Sequence, residues 1–387
     1  MASKYLNKAI FPFMTLTIST LFLIVFVYGI SYTFDSFKQD IKKGVTVSGI
    51  SISELPKSIA MEKLETEVTK WKDTTIVSFY YKDREVNVSS AELFFFDIEE
   101  TLNNKSNSTS WPLRVYVNDD YVSNVIHELT REKELVNLDW ASLHEDLRTY
   151  GQTLQIGRLI INVHDYLEEE EKIISTVELA NVFKTNRLIK AVLFFDDFQL
   201  KPKQQFSFAE VLRVNRNDSI NDQVYSVIAT AIYQLMLETN IEIKERHISS
   251  TLPPYSELGL EARVDREKDL KIYNPNATSY VLSFEIEEHA LKATLTGIPF
   301  EDTYSIELSN RETIDYEKIV ESDDKVVGTT IKQQGQYGQE ITVHRVRQKA
   351  SGHSEKEWIS YDVYLPVASI EVHGRQSAEH DSGGKGY

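Results

Sequence analysis

The sequence predicts an α+β chain in which a single N-terminal transmembrane helix precedes a multi-domain extracytoplasmic region. Three observations predict it: an uncharged apolar run from Ala9 to Tyr32, a length of 387 residues, and, after that run, hydrophobic spacings that alternate between helical and period-two patterns. Crossing a bilayer core takes about 20 apolar residues in a helix, and Leu16, Ile18 and Leu21–Val27 supply them. Lys4 and Lys8 precede the run, which places the N-terminus in the cytoplasm and everything after Asp35 outside. The expected localisation is the cell membrane, single-pass, with the bulk of the chain extracytoplasmic. A cleaved signal peptide would have a shorter apolar region and a small-x-small site, which "VYGISYTF" matches poorly. A core helix would not be apolar on every face, with Tyr28 and Tyr32 where an interfacial belt sits.

Charge and cysteine content exclude several classes of function. With 59 acidic against 42 basic residues the net charge is -17, which disfavours binding to nucleic acid or anionic lipid by bulk electrostatics, since a broadly basic face would need an even more acidic remainder. A polymer partner would have to be gripped by shape and hydrogen bonds. The absence of cysteine removes disulfides, thiolate nucleophiles and Cys-ligated metals. The histidines other than His247 (127, 144, 164, 289, 344, 353, 373 and 380) show no paired ligand spacing, so neither metal nor cofactor is expected. Glu168–Glu171 lacks the spaced ligands and glycine turn of a calcium loop and reads as a solvated turn or helix start.

Five segments follow in order. Residues 1–34 are the cytoplasmic stub and anchor, with a polar spacer to Lys43. Residues 44–195 form an α+β domain. Val45, Val47, Ile50 and Ile52 alternate as a strand, and Ser53 caps a helix with apolar positions Ile59, Leu64 and Val68. "TTIVSFYYKDREVNVSS" reads as a hairpin turning at Lys82-Asp83. "LFFFD", Leu93 to Asp97, reads as alternating core packing, with a carbohydrate-stacking platform as the other reading. Strands "LRVYVN", "GRLIINVHDYL" and "IKAVLFF" alternate with helices around Val122–Glu132 and Ala141–Thr149. Residues 200–300 carry the clearest helix, in which Val224, Val227, Ile228, Ala231, Ile232, Leu235 and Met236 are spaced for one buried face. Asp218 or Asn221 can cap it and Asn240 can end it. "IEIKERHISS" then reads as a strand. Residues 324–374 are β-rich, turning at Ser351-Gly352, and 375–387 form a polar, disordered tail.

Particular residues carry a family resemblance. Phe206, Ser207 and Phe208 match a Phe-Ser-Phe-Asn segment, with Ala209 at its end, and Glu245, Arg246 and His247 match a Glu-Arg-His triplet. Between them Thr230 and Tyr233 fit the pattern of an amphipathic helix. Leu200 to Gly297 thus resembles the VanW family. In that family Gly-Gly-Gly-x-Cys-Gln opens the helix; here Gln223, Val224 and Tyr225 stand at glycine positions and Ser226 at the cysteine. Gly44, Val45, Val47, Gly49, Leu55 and Ala60 resemble the opening of the peptidoglycan-binding domain that commonly precedes VanW domains. Gly328, Gly335, Gly338 and "SYDVYLPVASI" are similar to a small wall-sugar-binding β module named for its five glycines.

The resemblance implies a Gram-positive-type cell-envelope protein that binds peptidoglycan or another wall polymer, or scaffolds wall-associated components. In a thiol-based site, a helix-terminal cysteine would be paired with the histidine. Ser226 does not inherit that chemistry, because an un-ionised hydroxyl needs an aligned base and the lost glycines remove oxyanion donors. The expectation is therefore a pseudoenzyme. Two alternatives stand beside it: a serine hydrolase or acyl transferase on wall peptides using Ser226 and His247 with Glu245 orienting the imidazole, and an assembly factor that binds other envelope proteins.

Overall fold

Pro56 sets the start of the helix that opens at Lys57. In a computed structural model that describes residues 20, 24, 41–103, 108–131, 137–214 and 223–375, the chain divides into two units. The first is Met1–Tyr81 with Glu85–Leu167, and the second is Lys82–Arg84 with Glu168–Tyr387. The helix Lys57–Thr74 has Pro56 at its N-cap and no side-chain cap, since proline's fixed φ suits a helix start. Ser53, expected to cap it, instead accepts the Gly44 N–H at 2.8 Å. Ala60, Leu64, Val68 and Trp71 form the buried face, whereas Ile59 points to solvent.

The rest of the first unit follows from caps and alternation. Ile76–Tyr81 pairs in parallel with Leu159–Asn162, and Phe94–Asp97 pairs antiparallel with Arg114–Val117. Asn118 and Asp139 accept N–H groups of Tyr121 and Ser142 to start the helices Asp119–Thr130 and Trp140–Thr153. Leu64, Phe79, Phe94 and Leu147 meet in one core. The three consecutive phenylalanines divide as a pleated strand requires. Phe94 is buried, Phe96 is half-buried, and Phe95 is 53% exposed opposite Tyr116.

The second unit is built around one helix. Its four-stranded antiparallel sheet runs in the order Phe198–Leu200, Tyr280–Ile286, Ala290–Gly297, Lys172–Ala180. The stretch "IKAVLFF" is helical, not a strand, and forms part of Asn186–Phe195. Thr185 accepts the Leu188 N–H, and Leu188, Ala191, Val192 and Phe195 line the buried face. The central helix Gln223–Leu237 packs against this helix and against strands of the sheet. Its expected caps, Asp218 and Asn221, lie outside the described residues. Asn240 does not end it but pairs its amide with Asn276 at 2.8 and 2.9 Å.

Six strands between Thr303 and Arg375 form two three-stranded sheets. Thr303–Ile314, Gly338–Gln348 and Ser354–Tyr364 make the first, with the last two joined through the expected turn at Gly352, where φ is 87°. Lys318–Val327, Ser369–Arg375 and Thr329–Gln333 make the second. From the first sheet Ile341, Val343 and Tyr364 enter the core around the central helix. Gly338 is required by close approach, since a Cβ there would lie 2.7 Å from the Tyr364 carbonyl oxygen and the Pro366 nitrogen.

The single transmembrane helix and the single-pass membrane localisation are corrected here. Among the described residues no helix is long and apolar enough to cross a membrane. The longest described helix, Lys57–Thr74, buries only Ala60, Leu64, Val68 and Trp71 and is otherwise largely polar. The run Ala9–Tyr32, on which both expectations stood, lies outside the described residues except for Thr20 and Ile24, as does the tail from residue 376.

Gly338→Ala should destabilise the chain by about 1–3 kcal/mol, because backbone atoms rather than a flexible side-chain end must move. A lower urea midpoint with an unchanged slope is the expected reading; an unchanged midpoint would contradict it.

Candidate functional site

The central helix is buried on nearly every side, yet it carries a polar stripe at Ser226, Thr230, Tyr233 and Gln234. Spacings of four, three and one place these on one face. A buried hydroxyl or amide must find partners, and here the partners come from one extended segment. Ser226 Oγ donates to the Val264 carbonyl and accepts the Val264 N–H, both at 3.2 Å. Thr230 Oγ1 does the same with Ala262, at 3.1 and 3.0 Å. Tyr233 reaches the Gly259 carbonyl at 3.4 Å and Gln234 the Leu260 carbonyl at 3.0 Å. The helix therefore holds residues 259–264 as a neighbouring strand would, with side chains in place of backbone.

The triplet after the helix divides its duties. His247 Nε2 lies 3.0 Å from Glu245 Oε1, and Lys271 Nζ donates to Glu245 Oε2 at 2.6 Å. Lys271, and after it His247, holds the Glu245 carboxyl below its ordinary range. Arg246 turns inward: Nη1 meets Asp362 Oδ1 at 2.6 Å, with both side chains almost fully buried. Nε donates to the Glu261 carbonyl at 2.5 Å, and the guanidinium lies 4.5 Å from the Tyr233 ring centroid. The fully buried Glu261 carboxyl accepts from the Ser249 hydroxyl at 2.5 Å and the Tyr364 hydroxyl at 2.9 Å. Burial pushes the Tyr364 phenol up.

Residues 225–296 match the family model described as VanW like protein. The VanW-like stretch thus lies inside the Leu200–Gly297 region in which its motifs stand. No curated protein matches the chain in sequence. Among solved structures the chain is similar to G5 domains, the type of the five-glycine module. The IgA1 protease G5 domain shares 19% identity over 20% of this chain and 93% of that one, with a TM-score of 0.17. HP0197-G5 shares 19% over 19% of this chain and 100% of that one, with a TM-score of 0.14.

Of the three residues singled out for catalysis, the fold joins two. Glu245 and His247 are hydrogen-bonded, and Ser226 is bonded to Val264; among the described residues no hydrogen bond links Ser226 to His247. Ser226 borders a cavity of about 580 Å³ with Gln223, Ser249, Tyr255 and Arg263, which His247 does not line. A hydroxyl has one proton to donate, and the acceptor within its reach here is the Val264 carbonyl, with no imidazole among the described residues bonded to it. Among the described residues no group of three or more His, Asp or Glu could hold a metal.

In the first unit a shallow groove of about 550 Å³ runs between the helix Lys57–Thr74 and the strand pair beside it. Exposed Phe95 and Tyr116 lie directly opposite each other across the strands. Glu65, Thr69, Lys72 and Glu99 surround them. Only strand alternation within "LFFFD" carried a sequence signal for this surface, since the middle phenylalanine must face away from the core.

Three outcomes follow. Ser226→Ala should cost about 1–3 kcal/mol, because it leaves the Val264 N–H and carbonyl without partners; a thermal melt reads it. Asp362→Ala should cost about 3–5 kcal/mol by stranding the Arg246 charge, whereas Arg246→Met with Asp362→Leu should recover most of that loss. Glu245 has a depressed folded-state value, so its pairing is complete above about pH 5 and lost as acid carries the pH down through that value. An NMR titration placing Glu245 at or above an ordinary glutamate would contradict it.

Proposed function

We propose that the chain is a non-catalytic binding protein of the cell wall, in which the VanW-like stretch serves as a holding framework. The observation that carries this reading is the disposition of Ser226. At the position where the family resemblance places a cysteine, its hydroxyl bonds both backbone groups of Val264. That makes Ser226 one rung of the ladder continued by Thr230, Tyr233 and Gln234. A nucleophile needs a free lone pair and a base within reach of its proton.

Wall binding is supported by the VanW-like match and by the surface the first unit offers. Phe95 and Tyr116 present their rings amid side chains of both signs, Glu65 and Glu99 with Lys72, a mixed setting suited to an uncharged or weakly charged saccharide. The net charge of -17 argues the same way.

The test is co-sedimentation of the full chain with purified peptidoglycan sacculi. The chain should pellet with the wall and release no soluble fragments, and Ser226→Ala should do the same. Phe95→Ala with Tyr116→Ala should weaken pelleting several-fold without lowering the melting temperature. A chain that stays in the supernatant would overturn the reading. Fragment release that disappears in Ser226→Ala would replace it with the hydrolase.

A further inference from the structure

A second cleft lies in the second unit, away from Ser226 and the Glu-Arg-His triplet. Its volume is about 360 Å³, within the range of small-ligand sites. The chain from Phe198 to Ser207 forms one wall. Phe198–Leu200 is the outermost strand of the four-stranded sheet, and Gln205–Ser207 is the outermost strand of a three-stranded sheet completed by Lys271–Tyr273 and Glu242–Glu245. The partner strands of these two, Tyr280–Ile286 and Lys271–Tyr273, are also close in sequence. One ribbon edge therefore passes the cleft, bent between Lys201 and Gln204, and among the described residues no strand pairs with its outer side.

The lining is sorted by chemistry. Leu200, Phe206, Ile241 and Ile272 are buried and make an apolar floor. Gln199, Gln204 and Gln205 are exposed at the rim, where each amide can both donate and accept. The two charged lining residues, Lys201 and Glu210, are of opposite sign.

We infer that this cleft binds a short peptide in extended conformation, laid along the edge strand. An edge strand offers backbone donors and acceptors at the repeat of another extended peptide, and strand addition with side chains entering a pocket is an established mode of recognition. A glycan chain has no such repeat. A phosphate polymer would meet a lining whose two charges, Lys201 and Glu210, sum to zero. The inference rests on the wall-binding reading only in naming the source, the peptide portion of the wall; the glycan portion falls to the Phe95–Tyr116 groove.

The experiment is calorimetric titration of the full chain with two probes made from the same sacculi: disaccharide-peptides freed by a muramidase, and peptide-free glycan strands freed by an amidase. Glu210→Trp and Gln204→Trp plug the cleft from exposed positions, one on the helix Phe208–Val214 and one in the bend. Each plug should weaken disaccharide-peptide binding at least tenfold and leave glycan binding unchanged, at an unaltered melting temperature. Equal peptide affinity in the wild type and both plugged chains would overturn the inference, as would pelleting with sacculi without any disaccharide-peptide binding. Disaccharide-peptide binding by a chain that does not pellet with sacculi would uphold the cleft and sink the wall reading alone.

Discussion

A helix surrounded by protein can keep polar side chains only where each is hydrogen-bonded, and the second unit is arranged around that constraint. The helix Gln223–Leu237 sends four polar side chains to one side, and residues 259–264 are drawn along it because their backbone groups are the partners. Leaving one such group unpaired costs about as much as several well-made bonds contribute. Ser226 is thereby a holding residue first.

The C-terminal end of the same helix shows a parallel solution. Arg345, almost fully buried on the strand Gly338–Gln348, donates to the carbonyls of Met236, Thr239 and Ile241 at 3.3, 2.7 and 2.8 Å. These carbonyls lie at and just beyond the end of the helix, where a cation also meets the favourable end of the helix dipole. Glu357 balances the guanidinium at 2.8 Å. With Arg246–Asp362, this gives two buried arginines joining the VanW-like stretch to the three-stranded sheet that follows it. The buried Arg246–Asp362 pair adds little net stability but penalises strongly any arrangement that separates its partners.

The two surfaces left over carry charges of both signs, and each is shaped by a strand. In the first unit, pleating turns Phe95 and Tyr116 outward together. In the second, the bend between Phe198 and Ser207 leaves an edge beside an apolar floor. Both suit partners recognised by ring contact, amides and shape, which is the kind of recognition a strongly acidic chain can afford.

Periodicity by itself determined much of the architecture. Apolar spacing located the central helix, alternation located the hairpin strands and the β-rich C-terminal region, and the Phe-Ser-Phe and Glu-Arg-His segments located the VanW-like stretch. It failed where local patterns are ambiguous. "IKAVLFF" is short and apolar enough to suit a strand, and the Thr185 cap with the Phe195 packing decided for a helix. Ser53 is a good cap residue, but Pro56 started the helix later. The Ala9–Tyr32 run met the length rule for a membrane helix, while the described helices are all too short or too polar to cross one. Only tertiary structure could reveal the partners of Ser226 and Arg246. Val264 and Asp362 lie 38 and 116 residues away, and pairing over such distances is set by how the chain packs rather than by any repeat along it.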